Sequence, residues 1–471
     1  MSQQTLPAPA AAPPAVRPGP ALAIIVTCQL MLMLDATVMN VALPRIRADL
    51  GFTPAGLSWV INAYTLVFGG LLLLGGRAGD LFGRRRLFLG GVALFTAASL
   101  LGGLADSATL LLVARILQGL GAAAAGPSTI ALITSTFTEP RERVRALAVF
   151  SGVASAGFAI GLIVGGLLTE WFTWRAVLFI NIPFGLAILA LAPRFIREPA
   201  RHPARLDLPG ALTATAGIAA LVYGFIRAAE AGWADRVALV ALVAGAVLVA
   251  GFVVIEVRTR QPLMPLHLFA DRNRVAGYLN FFFGPMAMMS AFFFLTQFLQ
   301  EVSGYSSLRT GFAFLPMAVV LFTASRLMPR WLPAYGPKPF AIAGTVLMVA
   351  GLAWLTQLSP SSGYLTGLLG PMVVLGVGGG LAFAPLNVVI MSTVRPADAG
   401  AAGGVLQTMQ QVGATVGLAV LVTVAGSASR ATAAAGGGAE AVLVDGMTAA
   451  FTMSAVFAVL TVVVALTFRR R

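Results

Sequence analysis

The chain has 471 residues, of which 58% are hydrophobic and only 10% are charged, and its mean hydropathy is +0.90. Soluble globular domains carry about 25% charged residues, so this composition excludes a soluble protein and indicates an integral membrane protein. The formal net charge of +14 does not indicate nucleic-acid binding, because the basic residues lie singly or in short clusters between apolar runs. The single cysteine, Cys28, excludes an intrachain disulfide and gives no support for a thiolate metal site.

Membrane-spanning helices account for most of the chain. Residues 1–20 are rich in proline and alanine and are predicted to form a disordered cytoplasmic tail. The apolar run that follows is too long for the core of a cleaved signal peptide, so it is interpreted as the first spanning helix. Runs long enough to cross about 30 Å of hydrocarbon predict fourteen helices, at residues 21–43, 57–76, 87–105, 109–134, 146–169, 175–195, 208–227, 236–256, 275–300, 309–328, 339–357, 364–392, 400–426 and 446–468.

The arginines predict the orientation of these helices. With the N-terminus inside, most of the basic residues, including the basic end at 469–471, fall in cytoplasmic segments. Both termini are therefore predicted to lie in the cytoplasm. The bias does not fix the number of helices, because removing helices 7 and 8 would leave the orientation of every other loop unchanged.

Two segments of the chain suggest an internal duplication. The segment GLGAAAAGPSTIALI, from Gly119, aligns with GVGGGLAFAPLNVVI, from Gly376, and places Pro127 on Pro385. After a short gap, the helix 5 glycines at 157 and 161 fall on those at 413 and 417. Chance similarity between glycine-rich helices is one explanation. The other is a duplicated transporter with six-helix halves at 21–196 and 275–468 and a linker at 197–274 that holds two extra helices.

The loop between helices 2 and 3 carries both signs of charge in a short glycine-rich stretch, GGRAGDLFGRRRLFLGG. Positive-inside anchoring explains its arginines but not its aspartate. This stretch resembles the signature loop of the major facilitator superfamily, with Gly76, Asp80, Gly83, Arg84 and Arg85 on the pattern positions. The resemblance implies that the aspartate and arginines hold two halves together at the cytoplasmic side and help to gate alternating access.

The resemblance continues along nearly all of residues 21–468. The segment LDATVMNVALP at 34–44 is similar to the helix 1 signature of the 14-helix drug:proton antiporters of that superfamily. WVINAYTL, RILQGLGAA, WRAVLFINIPFG and GYSSLRTGFAFLP, which begin at residues 59, 115, 174 and 304, resemble further motifs of this family, although Ser307 stands where Pro is common. The resemblance implies an all-α major facilitator fold of two six-helix halves plus two extra central helices, and export of drugs in exchange for protons.

Helix 5 departs from the family pattern. Gly157, Gly161 and Gly165, followed by Gly166, lie at a spacing that stacks small residues on one helical face and lets another helix approach closely. Antiporters of the family usually carry a proline after the second of these glycines, and this chain has Leu162 there. The kink expected from proline is therefore not predicted, and part of the sequence support for antiport is missing.

Two charged residues are predicted to lie within the membrane at similar depths. At a rise of 1.5 Å per residue, Asp35 on helix 1 lies about 12 Å below the outer boundary and Arg115 on helix 4 about 9 Å below it. A structural ion pair that only lowers the insertion cost of both charges is one interpretation. Our functional hypothesis is that Asp35 accepts the coupling proton and that Arg115 tunes its proton affinity and responds to its charge.

The substrate of such a protein is expected near the midplane, between the halves. An aromatic cavity with few charges suits amphipathic or cationic organic molecules. For each phenylalanine, packing against lipid or another helix is the competing role. The candidates are Asn40, Asn62, Tyr64, Gln118, Asn280, Phe283, Phe293, Phe294, Gln297, Asn387 and Gln407.

Other function classes have less support. The two histidines, His202 and His267, lie in predicted loops beside arginines, and the sequence contains no metal cluster, nucleotide-phosphate loop or nucleophile elbow. We therefore predict no enzyme activity and no cofactor, with transport driven by the proton gradient. A passive channel is disfavoured by the duplicated halves and the buried charges, whereas a dedicated exporter of one metabolite, lipid or self-made antibiotic stays open. The predicted setting is a monomer in the bacterial inner membrane, with protons, lipid and a small amphipathic substrate as partners and no nucleic acid.

Overall fold

The computed structural model describes residues 18–199, 206–259, 262–392, 394 and 398–468, and over these residues it contains helices and no strand. The predicted all-α fold class is therefore confirmed. The long helices are α1 Pro18–Leu50, α2 Trp59–Phe82, α3 Arg84–Gly103, α4 Ala108–Thr136, α5 Pro140–Trp171, α6 Ala176–Phe195, α7 Leu208–Ala231, α8 Arg236–Arg258, α9 Arg272–Gln297, α10 Ser307–Tyr335, α11 Pro337–Leu355, α12 Leu369–Met391, α13 Ala399–Ala434 and α14 Ala439–Leu466.

Thirteen helical segments of the described chain are long and apolar enough to cross a membrane. The remaining long helix, α5, has 32 residues, which at 1.5 Å per residue extend about 48 Å. Its apolar run, at residues 146–169, is long enough for a full span. Each of the fourteen predicted spans thus has a helix at its place in the chain.

The helix ends differ from their predicted positions. Helix α1 begins at Pro18, inside the predicted disordered tail, and it continues to Leu50, past the predicted end at residue 43. The last turns of α1 carry charged side chains and lie beyond the apolar run. The helix continues there because hydrogen bonds between backbone groups also form outside the hydrocarbon. The rest of the predicted tail, at 1–17, and the basic end at 469–471 lie outside the described residues.

Helix α6 consists of two segments, Ala176–Phe179 and Asn181–Phe195, that meet at Ile180. Pro183 explains the break, since its nitrogen cannot donate to the carbonyl of Phe179 and its ring crowds that carbonyl. The break makes Asn181 the first residue of the second segment.

The two halves of the chain repeat one packing pattern. In the first half, α1 packs on α5 and α6, while α4 packs on α2 and α3. In the second half, α9 packs on α13 and α14, while α12 packs on α10 and α11. The aligned glycines also correspond, because a Cβ on Gly161 would lie 1.8 Å from Thr37 of α1 and a Cβ on Gly417 would lie 2.5 Å from Met286 of α9.

The halves meet along two helix pairs, α2 with α13 and α5 with α10. Helix α7 packs on both α2 and α13, and α8 packs on α7. The extra helices therefore cover one side of the junction between the halves. The residue boundaries of the domains at 196, 197, 274 and 275 stay a prediction.

Polar contacts join the halves at the end that is predicted to face outward. Arg47 of α1 pairs with Glu301, which follows α9, at 2.9 Å. The carboxylate of Glu170 near the end of α5 accepts a hydrogen bond of 3.0 Å from the N–H of Leu308 at the start of α10. The two halves are therefore in direct polar contact at this end.

Candidate functional site

Asp35 and Arg115 form a buried ion pair between α1 and α4. The Nη1 of Arg115 lies 2.6 Å from Oδ2 of Asp35, and the two side chains are 1% and 0% exposed. The structure therefore brings together the two charges that the depth estimate placed at the same level.

The second carboxylate oxygen of Asp35 accepts two amide hydrogen bonds. Gln118 Nε2 donates to Oδ1 at 3.0 Å, and Asn181 Nδ2 donates to the same oxygen at 2.9 Å. Both amides also approach the hydroxyl of Ser99 on α3, Gln118 at 2.8 Å and Asn181 at 3.4 Å. Three neighbouring helices, α3, α4 and α6, thus contribute donors or supporting groups to one carboxylate, as its negative charge requires away from water.

The guanidinium of Arg115 has partners besides Asp35. Its Nε donates to the carbonyl of Val60 at 2.9 Å, and its Nη1 donates to Oε1 of Gln118 at 2.8 Å. Its central carbon lies 4.5 Å from the centre of the Tyr64 ring, within the range of a cation–π contact. Loss of the charge on Asp35 would therefore leave Arg115 supported by α2 and α4, while α1 would lose its ionic contact.

The predicted cavity residues fall into distinct environments. Tyr64 and Gln118 belong to the ion-pair network described above. Phe293 and Phe294 are buried in the apolar core, where their rings meet edge to face at 5.1 Å. Phe283 and Gln407 are half-buried, and Asn387 is exposed.

Several candidate amides are buried with unused hydrogen-bonding atoms. Asn40 and Asn280 each donate to the carbonyl four residues earlier, but their Oδ1 atoms have no partner. Gln297 donates to the carbonyl of Phe293 at 3.2 Å. Asn62 is 0% exposed, and neither its oxygen nor its nitrogen has a partner. Because buried polar groups are normally paired, Asn40, Asn62 and Asn280 are the candidates with capacity to bind a further molecule.

The predicted gating loop is a sharp break between α2 and α3. Gly83 has φ of 108°, and a Cβ at this position would lie 2.8 Å from the carboxyl of Glu198. The positive φ favours glycine here, because a side chain in this backbone conformation is strained. The two oxygens of Glu198 accept the N–H groups of Arg85 and Arg86, at 3.1 and 3.2 Å, and so place a negative charge at the N-terminus of α3.

The charged side chains of this loop contact the first half of the protein. Arg84, the first residue of α3, pairs with Asp80 near the end of α2. Arg85 donates to the carbonyl of Ile196 at 3.0 Å. Gly76 faces Pro127 of α4, from which a Cβ would be 3.8 Å distant. In this structure the recorded bonds of Asp80, Arg84 and Arg85 therefore do not tie the halves together.

The helix 5 glycines line the contacts of α5 with α1 and α10. A Cβ on Gly157 would lie 3.1 Å from Leu30, and one on Gly165 would lie 2.9 Å from Val38, both in α1. Gly166 faces α10 instead, with Leu308 2.7 Å from its Cβ position. Helix α5 runs without interruption through Leu162, whose carbonyl packs against Gly311 of α10.

Sequence reasoning missed three groups of the ion-pair network: Asn181, Ser99 and the carbonyl of Val60. Asn181 lies within WRAVLFINIPFG, a motif that was recognised as a whole without singling out its asparagine. Ser99 had no such signal, because one serine in an apolar helix most often bonds its own backbone, as Ser99 also does to Phe95. Glu198 was missed because it lies in a loop that gives no periodic pattern.

Comparison with known proteins gives a consistent result. The family described as Major Facilitator Superfamily matches residues 25–418. The chain is 43% identical over 412 residues to the cephamycin export protein CmcT of Amycolatopsis lactamdurans, covering 86% of this chain and 85% of the relative. It is 42% identical over 444 residues to the puromycin resistance protein pur8 of Streptomyces alboniger, covering 93% and 88%. The crystal structure of an auto inhibited POT family peptide transporter has a TM-score of 0.67 at 15% identity, covering 96% of this chain and 98% of that chain, and so shows the fold alone.

Proposed function

The chain belongs to the major facilitator superfamily, and we propose that it exports amphipathic or cationic organic compounds, antibiotics among them, in exchange for protons. The observation that carries this proposal is the buried pair of Asp35 and Arg115. Ionisable residues inside a membrane protein are costly and usually serve an ion or substrate pathway. The names of the two relatives, which refer to cephamycin export and puromycin resistance, support drug or antibiotic export.

The proposed coupling follows from the contacts of the carboxylate. Protonation of Asp35 removes the charge that holds Arg115 to α1, whereas Arg115 keeps the carbonyl of Val60, Gln118 and the ring of Tyr64. A change of charge at one residue thereby changes the attraction between α1 and the pair α2 and α4. Two-state elements of this kind let proton binding bias a conformational equilibrium.

Transport in inverted membrane vesicles tests this role. Under an imposed proton gradient, Asp35→Asn is expected to abolish uphill uptake of a fluorescent cationic drug, because the amide cannot exchange a proton. Asp49→Asn on the same helix is the matched control, since Asp49 is 46% exposed and pairs with Arg175 at the surface. Full proton-driven uptake by Asp35→Asn would refute the proposed coupling.

A dedicated exporter of one compound is the second candidate, and the similarity to a cephamycin export protein favours it specifically. A panel of toxic compounds on an efflux-deficient host, with and without an uncoupler, separates the two. A broad pump lowers sensitivity to many compounds, and the uncoupler removes this effect. Sensitivity unchanged across the panel except for one chemical class would favour the dedicated exporter.

We further propose that this multi-pass membrane protein works as a monomer in the inner membrane with both termini in the cytoplasm and with the proton gradient as its only energy source. The arginine distribution supports this orientation. Replacement of Cys28 gives a background for single-cysteine labelling from either side of the membrane, and labelling of Glu440→Cys from the cytoplasmic side would contradict the orientation.

A further inference from the structure

We propose that Asn181 is a positioning residue that adapts the surroundings of Asp35 to both of its protonation states. This inference rests on the proposed proton exchange at Asp35. It assigns to the break in α6 a part in coupling, which neither the family match nor the names of the relatives indicates.

The starting observation is an amide that is only half used. Asn181 is 0% exposed, and its Nδ2 donates to Oδ1 of Asp35 at 2.9 Å and approaches Ser99 Oγ at 3.4 Å. Its own Oδ1 is buried and has no hydrogen-bond partner. An unsatisfied acceptor beside a carboxylate is costly, so its presence needs a reason.

The two forms of a carboxyl group need different neighbours. The ionised form only accepts hydrogen bonds, whereas the protonated form also has one O–H to donate. Among the described contacts of Asp35, Arg115 offers donors only. Oε1 of Gln118 already accepts from Arg115 at 2.8 Å. Asn181 Oδ1 is the acceptor that has no other partner.

A half-turn of the Asn181 amide would exchange its donor for its acceptor without moving the backbone. With Asp35 ionised, Nδ2 faces the carboxylate, as in this structure. With Asp35 protonated, Oδ1 faces the new O–H, and the amide nitrogen takes the place that Oδ1 occupies in this structure. The neutral acid is then satisfied inside the protein, so it persists while the halves rearrange.

Few charged or titratable groups surround Asp35. Arg115 from α4 faces Asp35 directly, and its guanidinium lies over the ring of Tyr64 from α2. The thiol of Cys28 on α1 is the other titratable group close to the Tyr64 phenol. Helices α3 and α6 contribute the uncharged Ser99 and Asn181. The protonation step therefore depends on one carboxyl, and Asn181 acts on it through hydrogen bonds rather than through charge.

The variant Asn181→Leu keeps a similar volume and removes both functions of the amide. The ionised form loses a charge-assisted hydrogen bond and the protonated form loses a weaker neutral one, so the balance shifts toward the proton-bound form. We expect the midpoint pH of drug-induced proton release from purified protein to rise by about one unit, which is about tenfold in proton affinity. We also expect the C=O stretching band of protonated Asp35 to move to higher frequency in infrared difference spectra, because its O–H has lost an acceptor.

Thr96→Val is the matched control. Thr96 lies on α3 against Gly185 of α6, is 7% exposed, and bonds only the carbonyl of Val92 among the recorded contacts. It tests the same helix interface without touching Asp35, and we expect a wild-type midpoint. If Asn181→Leu fails to fold, Asn181→Thr replaces it in the same experiment. The threonine side chain is shorter, so its hydroxyl leaves the carboxyl of Asp35 without the hydrogen bond that Asn181 makes.

The results separate this inference from the proposed function. If Asp35→Asn still exchanges protons, the coupling site itself is wrong. If Asp35→Asn is inactive while Asn181→Leu keeps the wild-type midpoint and the wild-type infrared band, Asn181 is only a packing residue and the inference alone fails. An equal shift in Thr96→Val would also overturn it, because the effect would then come from the interface between α3 and α6.

Discussion

Arg115 is the position where one substitution is expected to cost the most stability. Arg115→Met introduces an apolar side chain of similar length. The carboxylate of Asp35 is then left with only the amides of Gln118 and Asn181 as donors. Both charged side chains are almost fully buried, and breaking such a pair by removing one partner costs about 3 to 5 kcal/mol. We expect a loss of this size at neutral pH, and a smaller loss at lower pH, because protonation of Asp35 relieves the uncompensated charge.

The double variant Asp35→Asn with Arg115→Met separates charge from packing. Removing both charges leaves no unpaired ion, so the double variant is expected to unfold at a higher temperature than Arg115→Met alone. Neither variant is expected to transport. The assay is thermal unfolding of the purified proteins in one detergent at several pH values, followed by tryptophan fluorescence.

Arg175→Met is the control for the loss of any arginine pair. Arg175 pairs with Asp49 at 2.7 Å, but the two side chains are 31% and 46% exposed, and surface pairs contribute about 0 to 1 kcal/mol. Equal unfolding temperatures for Arg115→Met, Arg175→Met and the unchanged protein would refute the reasoning, as would a double variant that is no more stable than Arg115→Met.

Two further predictions concern the packing of α5. Gly161→Ala is expected to destabilise the protein by about 1 to 3 kcal/mol through overpacking, because its Cβ would lie 1.8 Å from Thr37 Oγ1; Gly152→Ala, with no atom within 4 Å, should not. Unfolding temperatures compare the two, and equal losses would contradict the close approach of α1 and α5. Glu170→Ala should speed hydrogen exchange at the start of α10, because the N–H of Leu308 loses its acceptor; unchanged exchange there would show that this contact does not hold the halves together.

Much of the fold was predictable because it follows from the membrane itself. Long apolar runs must form helices in hydrocarbon, so the number and order of the spans could be counted from the sequence. The pairing of Asp35 with Arg115 was also within reach, since both depths follow from the helical rise. The aligned glycines Gly161 and Gly417 pack on α1 and α9, which the alignment alone did not specify.

The surroundings of the pair were harder to predict because they depend on side-chain direction. Tyr64 and Gln118 were assigned to the substrate cavity from polarity and depth, yet their rotation about α2 and α4 directs them to Arg115 and Asp35. Asn181 begins the second segment of α6, after the break caused by Pro183. Hydropathy patterns carry no information on how such a break rotates a side chain about the helix axis. Hydropathy does not predict the extension of α1 to Leu50, because the apolar run ends near residue 43.

The burial of Asp35 has a consequence for the proposed exchange. A residue that is 0% exposed cannot exchange protons with water in this conformation, so exchange must take place in another one. The contacts that join the halves at the predicted outer end include the partly exposed pair of Arg47 and Glu301, and surface pairs contribute about 0 to 1 kcal/mol. Loss of one charge from a buried pair leaves the other charge uncompensated, at a cost of about 3 to 5 kcal/mol. A change of about 5.5 kcal/mol moves an equilibrium from 1:99 to 99:1. The free-energy change on protonation of Asp35 is therefore comparable to the change that decides between two conformations. The contacts at the outer end are weak enough to break in response.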